Sequence, residues 1–232
     1  MCKFFSVDSN GDGEPLYFDA VLRKKILKEE LDYEADSHTS IADYFGFKGI
    51  KEDKLNKYEY NPITRLFVID QKNNPIDDSK NIEKFCNTVD FKTIVPELVL
   101  NPIVNPFKKF GVTKASHKDK ILLERWASVR ASVVDSVWDS VRDSVWASVR
   151  ASVRASVEDS VWDSVWDSVW DSFGAYISSF FELEKWEYIN HAKGENPFQP
   201  CVDLWNRGIV PSFDGKTWRL HGKDGKVIYT KK

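Results

Sequence analysis

A tetrapeptide repeat runs from Ala127 to Gly174 without one change of register, and it limits the folds open to this chain. The repeat contains twelve copies. Position one is Ala or Asp, position two is Ser, and position three is Val in every copy but the last, where it is Phe173. Position four varies among Arg, Val, Trp, Glu and Gly. Any fold of this segment must therefore repeat every four residues.

A period of four residues does not suit a straight α-helix. A helix advances about 100° per residue, so the valine of each copy lies about 40° further round the helix than the one before. Over twelve copies the valines circle the helix instead of forming one face. Ser, Val, Asp and Trp are also weak helix formers. One long helix is kept as the alternative, because Asp139 and Arg142 would pair three residues apart.

The competing arrangement is a short β-solenoid with four residues on each side of the coil. The repeat resembles pentapeptide-repeat proteins with one residue removed from each copy. In that family the central Leu or Phe and a small or Asp-like residue two positions before it point inward around a square coil. The resemblance implies that Val at position three fills a narrower interior and that serines such as Ser148 face outward. We therefore expect a β-solenoid.

The residues at position four are the candidate binding surface. A coil of four tetrapeptides would stack residues sixteen apart, so that Trp138, Arg154 and Trp170 alternate in a way that suits cation–π contacts. Trp and Arg are enriched in interface hot spots, and a row of exposed Trp marks an interaction site. The candidate interaction residues are Trp138, Trp146, Trp162, Trp166, Trp170, Arg142, Arg150 and Arg154.

The flanking sequences predict an α+β protein around the repeat. Alternating apolar residues, turn signals and helix caps such as Ser37 predict both strands and helices before the repeat, and a helix followed by a β-hairpin after it. The predicted parts are a small N-terminal α+β domain (1–112), a linker helix (113–126), the repeat body (127–174) and a C-terminal cap with helices and a β-hairpin (175–232).

Composition restricts the compartment and the partners. The 232 residues carry a net charge of −3, which argues against a generally basic nucleic-acid binder. No apolar run reaches the roughly 18 residues that a membrane span needs, and the start of the chain lacks a signal peptide. The three cysteines show neither metal-ligand spacing nor a disulfide framework. We expect a cytoplasmic protein with no cofactor, no metal and no membrane contact.

Four stretches of the chain resemble uncharacterised proteins of bacteriophages and their bacterial hosts. They are the start MCKF, the stretch DSHTSIADYFG at 36–46, the repeat itself and the tail LWNRGIVPSFDGKTWRLHG at 204–222. The resemblance implies a phage or mobile-element origin, with a host cytoplasm as the setting, and it implies no chemistry. The leading hypothesis is a non-catalytic protein that binds a host or phage protein through the repeat surface, as an inhibitor of a host factor for example.

Two other classes of function are kept open. If Met1 is removed, Cys2 could act as a nucleophile with its own amine as base, and His38 could assist it; the protein would then be an N-terminal-cysteine hydrolase. Alternatively, Trp and Arg at position four could stack the bases of a single-stranded nucleic acid. The repeat has a net charge of −4, which opposes phosphate binding.

Overall fold

The computed structural model of the chain describes residues 5–47, 53–141, 149–155 and 162–232. It divides into two units, Met1–Leu100 and Asn101–Lys232. Each unit contains one three-stranded antiparallel sheet together with helices. The α+β class is therefore correct at the level of each unit.

The first unit is built on the sheet β1-β2-β3. Asp19 and Ser37 cap two of its helices with side-chain oxygens that accept hydrogen bonds from Leu22 N and Ser40 N. The sequence predicts a strand at Leu16–Phe18, but this prediction is wrong, because only Leu16 forms a bridge there, to Asp8. The elements are β1 Phe5–Ser9, α1 Ala20–Leu27, α2 His38–Tyr44, β2 Asn56–Asn61, β3 Leu66–Gln71 and α3 Ser79–Thr88.

The two faces of this sheet differ in polarity. Cross-strand partners share a face, so the pairs Phe5–Tyr60 and Val7–Tyr58 lie on one side, where Phe91 stacks on Tyr60 at 5.6 Å. The pairs Ser6–Glu59 and Asp8–Lys57 lie on the opposite side. All of these strand residues are buried, so the second face is a polar layer inside the unit.

The second unit holds the repeat and the C-terminal sheet β4-β5-β6. β5 and β6 form the predicted hairpin, and β4 adds a strand before it. Residues 149–155 are also helical. The elements are α4 Pro106–Lys109, α5 His117–Ala127, α6 Val133–Ser140, α7 Trp162–Ser178, α8 Gln199–Asn206, β4 Val210–Phe213, β5 Trp218–His221 and β6 Val227–Lys231.

A capping box fixes the start of α5 and links it to α8. Ser116 Oγ accepts a hydrogen bond from Asp119 N, and Asp119 Oδ2 accepts one from Ser116 N at 2.7 Å. The other oxygen of Asp119 accepts from Arg207 Nε at 2.7 Å. Gly208 then ends the helical region with φ +82°, where a Cβ atom would lie 2.7 Å from Phe110 Cβ. Glycine is therefore required at that turn.

The prediction of a β-solenoid in the repeat is wrong. The described residues of the repeat form helical segments, and no solenoid is present among them. The ring of Trp170 lies 4.7 Å from the guanidinium of Arg150, a pairing of residues twenty apart that the solenoid did not predict. One long helix is equally absent, since Val141 has extended geometry (φ −115°, ψ 137°) directly after α6.

Short helical segments reconcile the period of four with helical geometry. α6 contains two valines of position three, and the second lies about 40° further round the helix than the first. Val133 and Val137 therefore both stay on the buried face, and Val141 leaves the helix before the drift grows. The packing of α6 against α7 supplies the apolar surroundings that the weak helix propensity of the repeat requires.

The end of α7 also differs from the expectation. The aromatic stretch 175–189 predicts a continuous helix, but α7 ends at Ser178. Ser178 Oγ donates to the Ala175 carbonyl at 2.6 Å, which supports this last turn. No helix in the described ranges has both the length and the apolar content needed to cross a membrane.

Candidate interaction surface

The burial pattern of the repeat separates a core side from an outer side. Position three is the core side, and position two joins it at Ser136, Ser152 and Ser172, which are buried, whereas Ser128 is exposed. The expectation that serine faces outward is therefore wrong at the three buried serines. Position one is the outer side, apart from the half-buried Asp171. At position four Trp138 and Arg154 are exposed, and the other residues whose burial is described are half-buried. The buried position-three residues are Val133, Val137, Val141, Val149, Val153, Val169 and Phe173.

Trp138 is the most exposed tryptophan of the described residues. Its exposed fraction is 48%, and it lies on α6 between Asp135 and Asp139, which are also exposed. Asp135 lies three residues before Trp138 and four before Asp139, so its carboxylate is next to both side chains on the surface of the helix. An apolar side chain of this size is costly to leave in water unless a partner covers it.

Tyr188 adds a second exposed ring next to this helix face. Its hydroxyl donates to Asp139 Oδ2 at 2.6 Å, and that hydrogen bond together with the charge of Asp139 raises the pKa of Tyr188. Its backbone has φ +60°, which is uncommon for a residue with a side chain. The residue is 65% exposed. We call Asp135, Trp138, Asp139 and Tyr188 the aromatic–acidic surface.

The segment that carries Tyr188 is held firmly on the second unit. Glu187 N donates to Ser140 Oγ at 2.9 Å at the end of α6, and Trp186 is buried against Phe198 at a centroid distance of 5.6 Å. Trp186 N also donates to His191 Nε2 at 2.8 Å. The ring of Tyr188 is therefore presented in a fixed position. Sequence analysis missed this residue because it lies 49 positions from Asp139.

Of the other candidate residues of the repeat, the structure describes the side chains of Arg150, Arg154 and Trp170. Arg150 is half-buried against Trp170, and burial together with the charge of Arg154 lowers its pKa. Arg154 is exposed on the helical segment 149–155. Arg142 and Trp146 lie outside the described residues. Trp162 and Trp166 lie on α7, where the structure does not describe their side chains.

An internal arginine shows how the repeat holds a guanidinium group. Arg130 forms an ion pair with Asp171, a position-one residue of the last copy. Its guanidinium also lies 4.9 Å from the centroid of the Phe213 ring and 5.9 Å from that of Trp218. One arginine is therefore bound by a repeat carboxylate and by aromatic rings at the same time.

Of the two candidate catalytic residues, His38 can be located and Cys2 lies outside the described residues. His38 Nδ1 contacts Asp8 Oδ1, and its Nε2 lies 3.8 Å from Glu59 Oε1. The three residues form part of the polar layer between the first sheet and α2. A carboxylate on Nδ1 is the arrangement that orients a catalytic histidine.

Burial limits the chemistry that this histidine can perform. The His38 side chain is 14% exposed, and its Nε2, the atom that would act as a base, is buried and lacks a hydrogen-bond partner within the described ranges. No group of three His, Cys, Asp or Glu residues among those described could hold a metal ion. We interpret the Asp8–His38–Glu59 cluster as a polar contact that holds α2 on the sheet.

The remaining cysteines are poor nucleophiles. Cys86 and Cys201 are both buried and free. Burial raises the pKa of Cys86 to about 12 and raises the pKa of Cys201 as well. Both thiols are therefore protonated at neutral pH, whereas the thiolate is the reactive form.

A buried serine–histidine pair joins two strands of the C-terminal sheet. His221 Nδ1 donates to the Gly225 carbonyl at 2.9 Å, so its Nε2 accepts the hydrogen bond from Ser212 Oγ at 2.8 Å. Ser212 and His221 are 2% and 3% exposed. Substrate has no access to a pair buried to this degree, and the pair instead fixes β4 against β5.

His221 makes the stability of the second unit depend on pH. Burial lowers its pKa from the ordinary 6.5, so the folded state prefers the neutral ring. As pH falls below about 6.5, the unfolded chain gains a proton before the folded one, and the free energy of unfolding decreases. Urea unfolding followed by tryptophan fluorescence at pH 7.5 and 5.5 measures this loss of stability.

A matched pair of variants isolates the contribution of this residue. The substitution His221→Gln should flatten the pH dependence of the free energy of unfolding. The substitution His117→Gln, at an exposed position of α5, should keep the same pH dependence as wild type. Equal profiles for wild type and His221→Gln would contradict the assignment.

No protein-family model, curated protein or solved structure was found to match this chain. The function is therefore argued from the geometry of the aromatic–acidic surface and of the repeat.

Proposed function

We propose that this protein is a non-catalytic interaction protein, which binds another protein through the outer side of its repeat region. The observation that carries the proposal is the exposure of Trp138 on a helix whose valines are buried. The repeat uses position three and several serines of position two for its own core, and it leaves most of position one, with Trp138 and Arg154 of position four, in solvent.

The aromatic–acidic surface has the properties of an interface hot spot. Trp and Tyr are enriched in hot spots, and rigid side chains lose little conformational entropy on binding. Tyr188 is fixed by its hydrogen bond to Asp139, and its segment is anchored by Trp186. A partner would therefore meet a preformed surface.

The charge of this surface favours a protein over a nucleic acid as the partner. On the surface of α6, Asp135 is the neighbour of both Trp138, three residues on, and Asp139, four residues on. A base stacked on the Trp138 ring would bring its phosphate close to two carboxylates. Under this proposal, and with the resemblance to phage proteins, the partner is a host or phage protein met in the host cytoplasm.

Affinity capture with a matched control tests the proposal. The full-length protein and its variants Trp138→Ser and Ile121→Ser are immobilised and exposed to lysate of a host bacterium, and the bound proteins are quantified by mass spectrometry. Ile121 is an apolar residue of α5 with a similar exposed fraction of 43%. We expect a set of proteins retained by wild type and Ile121→Ser and lost from Trp138→Ser.

Melting temperatures distinguish binding from folding effects. Substitutions at exposed positions usually change stability by about 0.5 kcal/mol or less, so both variants should melt close to wild type. Equal capture by the two variants, or a Trp138→Ser variant that melts early, would count against the proposal.

A further inference from the structure

We propose that the aromatic–acidic surface binds an arginine side chain in a basic segment of the partner protein. The inference rests on the proposed function and specifies the chemistry of the partner. It is carried by the combination of exposed rings and carboxylates on and next to α6.

The rings and the carboxylates are placed to act on the same cation. Asp135 lies next to Trp138 on one side of it and next to Asp139 on the other, and Tyr188 is joined to this part of α6 by its hydrogen bond to Asp139. A guanidinium over the indole ring gains a cation–π contact and can donate to a flanking carboxylate. A carboxylate has about four acceptor sites, so the bond from Tyr188 leaves Asp139 able to accept another donor.

The net charge of the surface is negative. Glu187 lies beside Tyr188, but Lys185 Nζ forms an ion pair with its carboxylate at 2.9 Å. The charge that a partner meets therefore comes from Asp135 and Asp139. A basic segment complements this charge, and an acidic segment would be repelled.

The chain already binds arginine in this way inside the second unit. Arg130 is held by Asp171 together with the rings of Phe213 and Trp218, and Arg150 lies over Trp170 at 4.7 Å. Asp171 occupies position one of the repeat, as Asp135 and Asp139 do. The aromatic–acidic surface presents the same groups outward.

Arginine fits this arrangement better than lysine. Its planar guanidinium stacks on an aromatic ring and at the same time donates sideways to carboxylates, whereas the lysine ammonium is a compact and strongly hydrated charge. A segment with arginine should therefore bind more tightly than the matched segment with lysine.

The test uses fluorine NMR of the full-length protein labelled with 5-fluorotryptophan. The chain has nine tryptophans, and the spectrum of Trp138→Leu identifies the resonance of Trp138. Three synthetic peptides are titrated: Gly-Arg-Gly-Arg-Gly, the same peptide with Lys in place of both Arg residues, and the same peptide with Glu in place of both Arg residues. We expect the arginine peptide to shift the Trp138 resonance, the lysine peptide to bind more weakly and the glutamate peptide to cause no shift.

The double variant Asp135→Asn/Asp139→Asn tests the carboxylates while keeping the reporter ring. Loss of two exposed ion pairs should raise the dissociation constant of the arginine peptide about fivefold. The double variant Glu29→Gln/Glu30→Gln changes the net charge equally at exposed residues of the first unit, and it should bind as wild type does.

Three results would overturn the inference. The first is a Trp138 resonance that does not respond to the arginine peptide, and the second is stronger binding of the glutamate peptide. The third is a wild-type dimer in sedimentation that Trp138→Leu converts to a monomer, because the occupant is then a second copy of the chain. If the first result occurs while Trp138→Ser still loses captured proteins, the proposed function stands and only the arginine assignment fails.

Discussion

Replacement of Val149 by Asp is expected to unfold the second unit. Val149 is fully buried in the helical segment 149–155, and a carboxylate there would have no counter-charge. A buried unpaired charge costs several kcal/mol, here roughly 4 kcal/mol or more, which is a large part of the stability of a typical domain. All nine tryptophans lie in the second unit, so a red shift of tryptophan fluorescence reports this unfolding.

The matched control is Ala151→Asp in the same segment. Ala151 is exposed and occupies position one, where other copies of the repeat have Asp. Its substitution should change the free energy of unfolding by about 0.5 kcal/mol or less. Similar losses of stability in Val149→Asp and Ala151→Asp would contradict the inward placement of position three.

The second large effect is expected for Arg23→Met in the first unit. Arg23 and Asp36 are a buried ion pair with side chains 3% and 4% exposed, and Arg23 Nε also donates to the Phe18 carbonyl at 2.8 Å. Removal of one partner leaves the other charge buried, which costs about 3–5 kcal/mol. Hydrogen exchange should show loss of protection in β1 and β2, with tryptophan fluorescence unchanged.

The double variant Arg23→Met/Asp36→Leu distinguishes the loss of the ion pair from the cost of leaving one charge buried without its partner. Replacement of both charges by apolar side chains of similar size is often neutral, so the double variant should recover most of the lost stability. If the double variant is less stable than Arg23→Met alone, the ion pair itself stabilises the unit and the expectation is wrong.

The sequence predicted which residues of the repeat form its core, but it did not predict the fold of the repeat. An apolar residue at the third position of every tetrapeptide indicates burial in any regular structure, and Val137 and Val153 are buried as expected. The end of α6 at Val141 could not be predicted, because this valine has the same neighbours as the others. Packing against α7 rather than local propensity defines the helical segments.

The candidate sites show the same division between local and long-range information. Trp138 was recognised from the repeat alone, since the residue type at position four varies from copy to copy while positions two and three stay nearly constant. Tyr188 and the contact of His38 with Asp8 depend on pairings 49 and 30 residues apart. The caps at Ser37 and Ser116 require only a few adjacent residues, so the starts of α2 and α5 follow the sequence closely.

Helical segments made of tetrapeptides can tolerate changes in the number of copies. Insertion or deletion of one whole copy rotates the following part of a helix by about 40° and shifts it along the axis by about 6 Å, so the valines still face the core. Insertion of one or two residues rotates it by about 100° or 200° and turns them into solvent. The repeat can therefore change length in steps of four residues while position four varies from copy to copy, which would allow the proposed binding surface to diversify without loss of the core.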